Sequence, residues 1–436
     1  MKQVLRDSAW FGAVLLLSVM IGALIWLTGP TPGPARPLEH ICYVWQRQWA
    51  EPVRQAVSQA GPHFDGLMVL VGEIDGGGDA LKLSPVRPDW VSVAGTGRPI
   101  TLVLRANAAL GDVAAGEKLR EVSGFVAQTF RGVADEARAG GVTVAGVQLD
   151  YDCPTSKLGA YADLIGALHN DLAGHDLSIT ALPTWLRWSE FDRLLSHVSY
   201  YVLQVHSLNP PTTIDRPLVL CDTSRIPAYL RRAATFGRPF YLALPTYGYR
   251  VVFDASGTFA ALSAEGPAPA PPAGGRIRTV SADPAAMARV VRELTRRPPH
   301  GLIGIAWFRM PVESDELNWT LPALLAVREG REPSSAVAAE LRSASAGLFE
   351  VWIRNSGEIS SSSTVSLAVE WPGGRPLAYD VHNGFSAIEE TGRARVRLTG
   401  PAPRSNDAVL AAWFRVAPND GVTVPPPVLG PVEYLP

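Results

Sequence analysis

The run Gly146–Pro154, Gly-Val-Gln-Leu-Asp-Tyr-Asp-Cys-Pro, gathers the groups best spaced to do chemistry. Gln148, Asp150 and Asp152 recur every second residue, so in a strand they share one face while Val147 and Leu149 point to the other. At a rise of ~3.3 Å per residue the two aspartate Cα atoms stand ~6.6 Å apart. Two carboxylates that close repel as anions, which raises one pKa and suits that group to general-acid work. A structural reading stands beside this one. Asp150 would then be a buried aspartate bonded to a neighbouring strand or to Arg105, and Asp152 a cap on the turn before Pro154.

Other polar and aromatic residues fall at the ends of short apolar runs. They are Tyr43 and Trp45, Glu73, Arg105, Trp185, Gln204 and His206, Tyr247 and Tyr249, and Trp307 and Arg309. Aromatic faces that stack on a pyranose, with carboxylates for its hydroxyls and protons, are what a sugar cleft needs. On this reading the aspartate of raised pKa protonates a glycosidic oxygen. In a two-carboxylate scheme the partner is Glu73 or another rim acid. Packing is the rival role for His206, Tyr247 and Trp307, and a solvated loop charge is the rival role for Glu73. No CxxC and no spaced His pair is present, so no metal is implied, and no organic cofactor. A net charge of -2 gives no reason to expect a nucleic-acid partner.

Eight short apolar runs must position these groups: Ile41–Trp45, Gly66–Gly72, Ile100–Arg105, Val144–Asp150, Leu177–Leu182, Tyr200–Val205, Phe240–Leu244 and Leu302–Phe308. Helical patterns separate them, at Lys118–Ala139, Lys157–Ala173, Ala228–Phe236 and Pro284–Arg296, and Trp319–Arg328 follows the last. The Gly-rich stretch Asp75–Arg98 shows no good helix, and Pro267–Gly275 reads as a surface loop. Alternating strands and helices imply parallel pairing, and eight units predict a (β/α)8 TIM barrel. An open doubly wound sheet is the runner-up, without a GxGxxG turn after the first strand to support it. After Ser334 alternation replaces the helical period, as in Phe349–Ile353, Val365–Val369, Ala394–Leu398 and Val409–Val416, which predicts a small β-sandwich. From Pro425 the tail is expected to run as an extended strap.

The N-terminus reads as a membrane segment. Lys2 and Arg6 precede Ala9–Leu27, which carries no charge. At ~1.5 Å per residue that stretch nearly spans a ~30 Å hydrocarbon core. The basic flank predicts a cytoplasmic tail, an inner-membrane anchor at residues 9–27, and domains in the periplasm or outside the cell. A cleavable signal peptide, giving a secreted protein, is the rival. The expected organisation is an anchor or signal at residues 1–28, a Pro/Gly-rich linker at 29–38, a barrel at 39–333, and a β-sandwich with its tail at 334–436. Of the three cysteines, Cys153 and Cys221 should share one rim and are the expected disulfide, with Cys42 left free.

Several of these motifs in order resemble a bacterial family, domain of unknown function 3142: GVQLDYDCP, ALPTWL at Ala181–Leu186, LQVHSL at Leu203–Leu208, LALPTYGY at Leu242–Tyr249 and AWFRMP at Ala306–Pro311. The resemblance covers roughly Ile41 to Val416. It implies a barrel related to glycoside hydrolases, with no assigned activity. The fourth strand is also similar, more distantly, to the DxxDxDxE strand of chitinase-like family-eighteen barrels. That likeness puts Gln148, Asp150 and Asp152 on the three acidic positions and implies Asp152 as proton donor to a glycosidic oxygen and Asp150 as the supporting carboxylate, which would tune it or orient a substrate N-acyl group that acts as internal nucleophile. It matches Trp307 to the sugar-floor tryptophan, and sets Gln204 and His206 near the sixth-strand polar cluster. Two positions depart: the donor is Asp rather than Glu, and the first acid is Gln.

The sequence thus predicts a membrane-anchored, glycoside hydrolase-like protein that meets a glycan. Tyr43, Trp45, Arg105, Gln148, Trp185, Gln204, His206, Tyr247, Tyr249, Trp307 and Arg309 would contact the sugar. A barrel that binds glycan or protein without turnover, or a scaffold in the envelope, is the alternative.

Overall fold

The computed structural model describes residues 37–75, 81–107, 118–207, 211–264, 269–360, 363–372, 376–390, 394–416 and 425–435. The expected membrane segment lies outside them. Among the described residues no helix is long and apolar enough to cross a membrane.

In chain order the first part runs β1 (Glu39–Val44), α1 (Glu51–Ala60), β2 (Gly66–Asp75), β3 (Lys82–Pro85), α2 (Trp90–Gly95), β4 (Ile100–Ala106), α3 (Leu119–Ala139), β5 (Val144–Tyr151), α4 (Leu158–Asp171), β6 (Asp176–Ala181), α5 (Ser189–Leu195), β7 (Tyr200–Gln204), α6 (Ile226–Ala234) and β8 (Phe240–Pro245). It continues with β9 (Gly248–Phe253), β10 (Phe259–Ser263), β11 (Arg276–Ser281), α7 (Pro284–Arg296), β12 (Leu302–Phe308) and α8 (Leu321–Arg328).

Strands β1, β2, β4, β5, β6, β7, β8 and β12 pair in parallel, and β1 bonds both β2 and β12, which closes the barrel. All eight expected strands are present. They are apolar almost throughout because outward residues such as Val147 and Leu149 meet helices while inward ones meet each other. Helix α3 shows the matching pattern, burying Val122, Val126, Phe130, Ala134 and Ala137 on one stripe. Asp283 starts α7 by accepting from the Ala285 amide, with Pro284 in the first turn. Gly304 must be glycine, because a Cβ there would collide with the Glu39 carbonyl and the Tyr241 ring on the barrel floor.

Three details differ from the sequence expectation. The Asp75–Arg98 stretch holds a helix after all, α2, whose first turn is capped by the Asp89 carboxylate on the Ser92 amide. Between β8 and α7 the chain forms a three-stranded antiparallel sheet, β10-β9-β11, rather than a loop alone. The three cysteines are free thiols, so the expected Cys153–Cys221 bridge is absent. The Cys153 thiol is buried and turned to the Pro154 carbonyl at 3.4 Å.

The second part holds β13 (Val337–Ser345), β14 (Leu348–Asn355), β15 (Thr364–Glu370), β16 (Pro376–Val381), β17 (Ser386–Glu389), β18 (Arg395–Pro401), β19 (Asp407–Val416), β20 (Val428–Leu429) and β21 (Glu433–Leu435). One antiparallel sheet has the order β13-β14-β19-β16, the other β17-β18-β15-β20 with β21 also on β15. Their inner faces share one core, with Val351, Ile353 and Phe414 from the first and Val365, Leu367 and Leu398 from the second. The expected strap is therefore a pair of short strands added to the second sheet.

Candidate active site

The strand ends build a cleft in layers from the barrel floor. Low in the barrel, the Tyr241 hydroxyl donates to Glu39 at 2.5 Å. One layer up, the Tyr43 hydroxyl donates to Gln148 Oε1 at 2.6 Å, and Gln148 Nε2 donates to Ser178 Oγ at 3.2 Å. Both Tyr43 and Gln148 are buried, so Gln148 is a brace beneath Tyr43 and not a contact for ligand.

Above that layer lies a cavity of about 240 Å³ lined by Tyr43, Trp45, Arg105, Asp150, Asp152, Thr180, Gln204, His206, Tyr247, Tyr249 and Phe308, with Val202, Ser207 and Ala243 completing it. Backbone register sets its acid row: Glu73 on β2 faces Arg105 on β4, which faces Asp150 on β5. Asp150 is 8% exposed, and its Oδ1 accepts from the Thr180 hydroxyl at 2.6 Å. Burial pushes its carboxyl up to about 6, the Asp152 charge adds to the rise, and Arg105 and the Thr180 bond oppose it. Asp152 follows the strand end and is exposed at the mouth. Within the described lining, these two are the carboxylates.

Aromatic rings make the opposite wall. Phe308 meets the rings of Tyr43, Trp45, His206 and Tyr247 at centroid distances of 5.0 to 5.5 Å. The Arg105 guanidinium carbon sits 5.7 Å from the Trp45 centroid. His206 is 2% exposed and stacks on Phe308, and burial lowers its pKa to about 3, so it is neutral in the working range. Its Nδ1 lies 3.4 Å from the Tyr247 hydroxyl, which in turn lies 3.2 Å from that of Tyr249. Gln204 Nε2 donates to the His206 carbonyl at 3.2 Å.

Besides Gln148, four expected site residues lie elsewhere. Trp307 is fully buried on the outer side of β12, where its Nε1 donates to His40 Nδ1 at 3.2 Å. Strand alternation decides this: Ala306 and Phe308 point inward, so Trp307 must point out, and Phe308 takes the wall position. Trp185 is also fully buried. Its Nε1 donates to the Cys153 carbonyl at 3.1 Å, and its ring packs between Tyr161 and Phe191. Arg309 is 3% exposed and tied to Asp315 and to the Ala264 carbonyl, with its guanidinium carbon 5.5 Å from the Tyr247 centroid. Glu73 reaches away to Arg47, with Nη2 to Oε1 at 2.7 Å and Nε to Oε2 at 3.2 Å, and is not in the cleft lining. It contributes a smaller, indirect rise to Asp150.

Sequence reasoning missed Thr180 and Phe308. Thr180 alternates with Ser178 in β6, a polar inward pair that the two-residue period would have exposed. Among the described residues no group of three or more His, Cys, Asp or Glu is placed to hold a metal ion. The arrangement is thus a compact aromatic cavity with two neighbouring carboxylates, one buried and one at the mouth. It can deliver a proton to, and hydrogen-bond, a polyhydroxylated ligand.

Comparison with known proteins agrees with this architecture. The model of the family described as "Domain of unknown function (DUF3142)" matches residues 96–313, half of the chain. No protein of curated function matches the chain by sequence. Among solved structures, the spore cortex-lytic enzyme SleL of Bacillus megaterium QM B1551 superposes with a TM-score of 0.50 at 12% identity, over 70% of this chain and 76% of that one. A chitinase from Chromobacterium violaceum ATCC 12472 gives a TM-score of 0.45 at 13% identity, over 67% of this chain and 98% of that one. At such identities the likeness is one of fold alone, a closed parallel barrel with helices around it.

Proposed function

This chain belongs to the DUF3142 family, and from that premise we propose that its barrel hydrolyses a glycan containing N-acylated sugars, with Asp152 as proton donor. The observation that carries the proposal is the Asp150–Asp152 pair in an aromatic cavity, Asp152 at its mouth and Asp150 buried behind it with a carboxyl raised to about 6.

The geometry favours a substrate-assisted route over a two-carboxylate one. Glu73, the other acid considered, is engaged by Arg47 and does not line the cleft, so no third carboxylate is described there. In the proposed step the acyl oxygen attacks the anomeric carbon as the glycosidic C–O bond breaks. The Asp152 proton passes to the leaving oxygen. Asp150 accepts from the acylamino N–H and so steadies the positive charge that develops. Water then opens the cyclic intermediate with Asp152 as base, and the anomeric configuration is retained. Trp45, Tyr247, Tyr249 and Phe308 bound the ring, and Arg105 holds the ionisation of Asp150 in range. The similarity in fold to a spore cortex-lytic enzyme supports a glycan as ligand.

Location belongs to the same proposal. The charge-free stretch Ala9–Leu27 after Lys2 and Arg6 supports a barrel held outside the cytoplasm, where such glycans are found.

The test is turnover of matched oligosaccharides with and without the N-acyl group. Cleavage of the acylated chain alone, with retained configuration in the first product, is expected. Equal cleavage of both would remove the internal nucleophile. Binding of both without cleavage would favour the non-catalytic barrel, for which the shorter reach of Asp152 is the supporting observation.

A further inference from the structure

A second concavity, a chamber of about 700 Å³, lies beside the cleft, lined by residues that follow β1 and β12, by the start of α1, and by Arg250 of β9. We infer that this chamber holds the continuation of the glycan whose scissile bond lies at Asp152, so that the protein acts on oligomers or polymers rather than on single sugars. The inference rests on the proposed function of the cleft and adds its substrate class.

Three crossings tie the two spaces together. Trp45 lines the cleft and Gln46 the chamber, Tyr249 the cleft and Arg250 the chamber, Phe308 the cleft and Arg309 the chamber. Tyr249 and Arg250 lie within β9, where adjacent side chains face opposite ways, and the other two pairs sit at the ends of β1 and β12. Arg309 is buried, paired with Asp315, and stacked near Tyr247, which lines the cleft.

Size and lining match a sugar chain. The chamber is roughly three times the cleft, which has room for little more than one ring. Its surface mixes amide and guanidinium donors from Gln46, Gln48 and Arg250 with apolar patches from Pro52, Val53 and Leu317. A pyranose presents the same mixture, hydroxyls at its edge and C–H groups on its faces. Arg250 is 24% exposed and gives one described bond to Glu316 at 2.7 Å, so its five-donor guanidinium can serve ligand oxygens as well. A free monosaccharide would leave this chamber unused.

Titration of the full chain carrying Asp152→Asn with β-1,4-linked N-acetylglucosamine oligomers, from dimer to hexamer, tests the inference without turnover. Affinity is expected to rise at least about tenfold with length. Gln48→Trp added to that chain fills the chamber from an exposed position, and should bring the hexamer's affinity down to that of the dimer. Affinity independent of length, or a length gain that survives Gln48→Trp, overturns the chamber's role while leaving the cleft's intact. Failure of every oligomer, the dimer included, overturns the reading of the cleft and the chamber with it.

Discussion

Thr180 donates its hydroxyl to Asp150 at 2.6 Å inside a cavity where the Asp150 carboxyl is raised to about 6. The bond favours the anion and burial favours the acid, so the carboxyl sits poised between them. Removing the bond tips that balance. Thr180→Val is expected to push the Asp150 carboxyl higher still and to move the acid limb of the kcat/KM profile, set by the Asp150 anion, to higher pH. Arg105→Gln should shift the limb the same way, since Arg105 also holds the value down. A pH–rate series on the two variants checks both, and a shift to lower pH would show that the limb belongs to another group.

The same carboxyl makes stability depend on pH. Asp150 in the folded chain holds its proton to about pH 6, while an unfolded aspartate releases it near 3.9. Between those values the native state binds more protons, so stability falls as pH rises, by at most ~1.4 kcal/mol per unit from this group. Asp150→Asn removes the ionisation. Thermal melts should show the variant gaining on the wild type as pH rises from 4 to 7; parallel curves would mean that Asp150 is not desolvated as described.

Adjacent residues of β12 should separate stability from binding. Trp307→Phe strips His40 Nδ1 of its indole donor in a buried place, at a cost of ~1–3 kcal/mol in unfolding free energy, and should leave ligand affinity alone. Phe308→Ala takes away the ring that touches Tyr43, Trp45, His206 and Tyr247, and should weaken ligand binding. Chemical denaturation and ligand titration on both proteins provide the comparison. Loss of affinity in Trp307→Phe alone would reverse the assignment.

Asn355 ties the first sandwich strands to their loops. Its Oδ1 accepts from the Ala336 and Gly357 amides, and its Nδ2 donates to the Ile359 and Pro403 carbonyls, all while fully buried. Asn355→Ala strands four backbone groups at once. A loss of ~3 kcal/mol or more is expected, read as a lower denaturation midpoint. An unchanged midpoint would mean that water replaces the amide without cost.

Much of the barrel was legible because parallel strands are buried on both faces. Runs such as Gly-Leu-Met-Val-Leu-Val-Gly stand out against the amphipathic helices between them, whatever their tertiary neighbours. Local chemistry hid other elements. Helix α1 has Ala50 at its N-cap, with no capping side chain, and only Glu51 and Pro52 in its first turn mark its start. The β9–β11 sheet hid for another reason: β11 is polar and largely exposed, and its sequence carries no core-facing period. In the site, the Asp150–Asp152 spacing is readable from alternation, and in β12 the same alternation turns Phe308 into the cleft and Trp307 away from it, against the expected assignment. Trp185 sits beyond the end of β6 in a short 3-10 turn over Pro183–Arg187, where the strand period no longer applies and the ring swings onto Tyr161 and Phe191. Glu73 follows an irregularity in β2 between Leu70 and Gly72, and its partner Arg47 comes from a loop that no sequence pattern pairs with it.

The most direct measurement is turnover of an N-acetylated β-1,4 oligosaccharide by the wild type and by Asp152→Asn, with binding measured on the same two proteins. The proposal predicts a fall in kcat of about 10²-fold or more with affinity little changed, because a positioned general acid contributes ~10²–10⁴-fold. Turnover that survives the substitution, or a wild type that binds the chain and never cleaves it, would contradict the role given to Asp152.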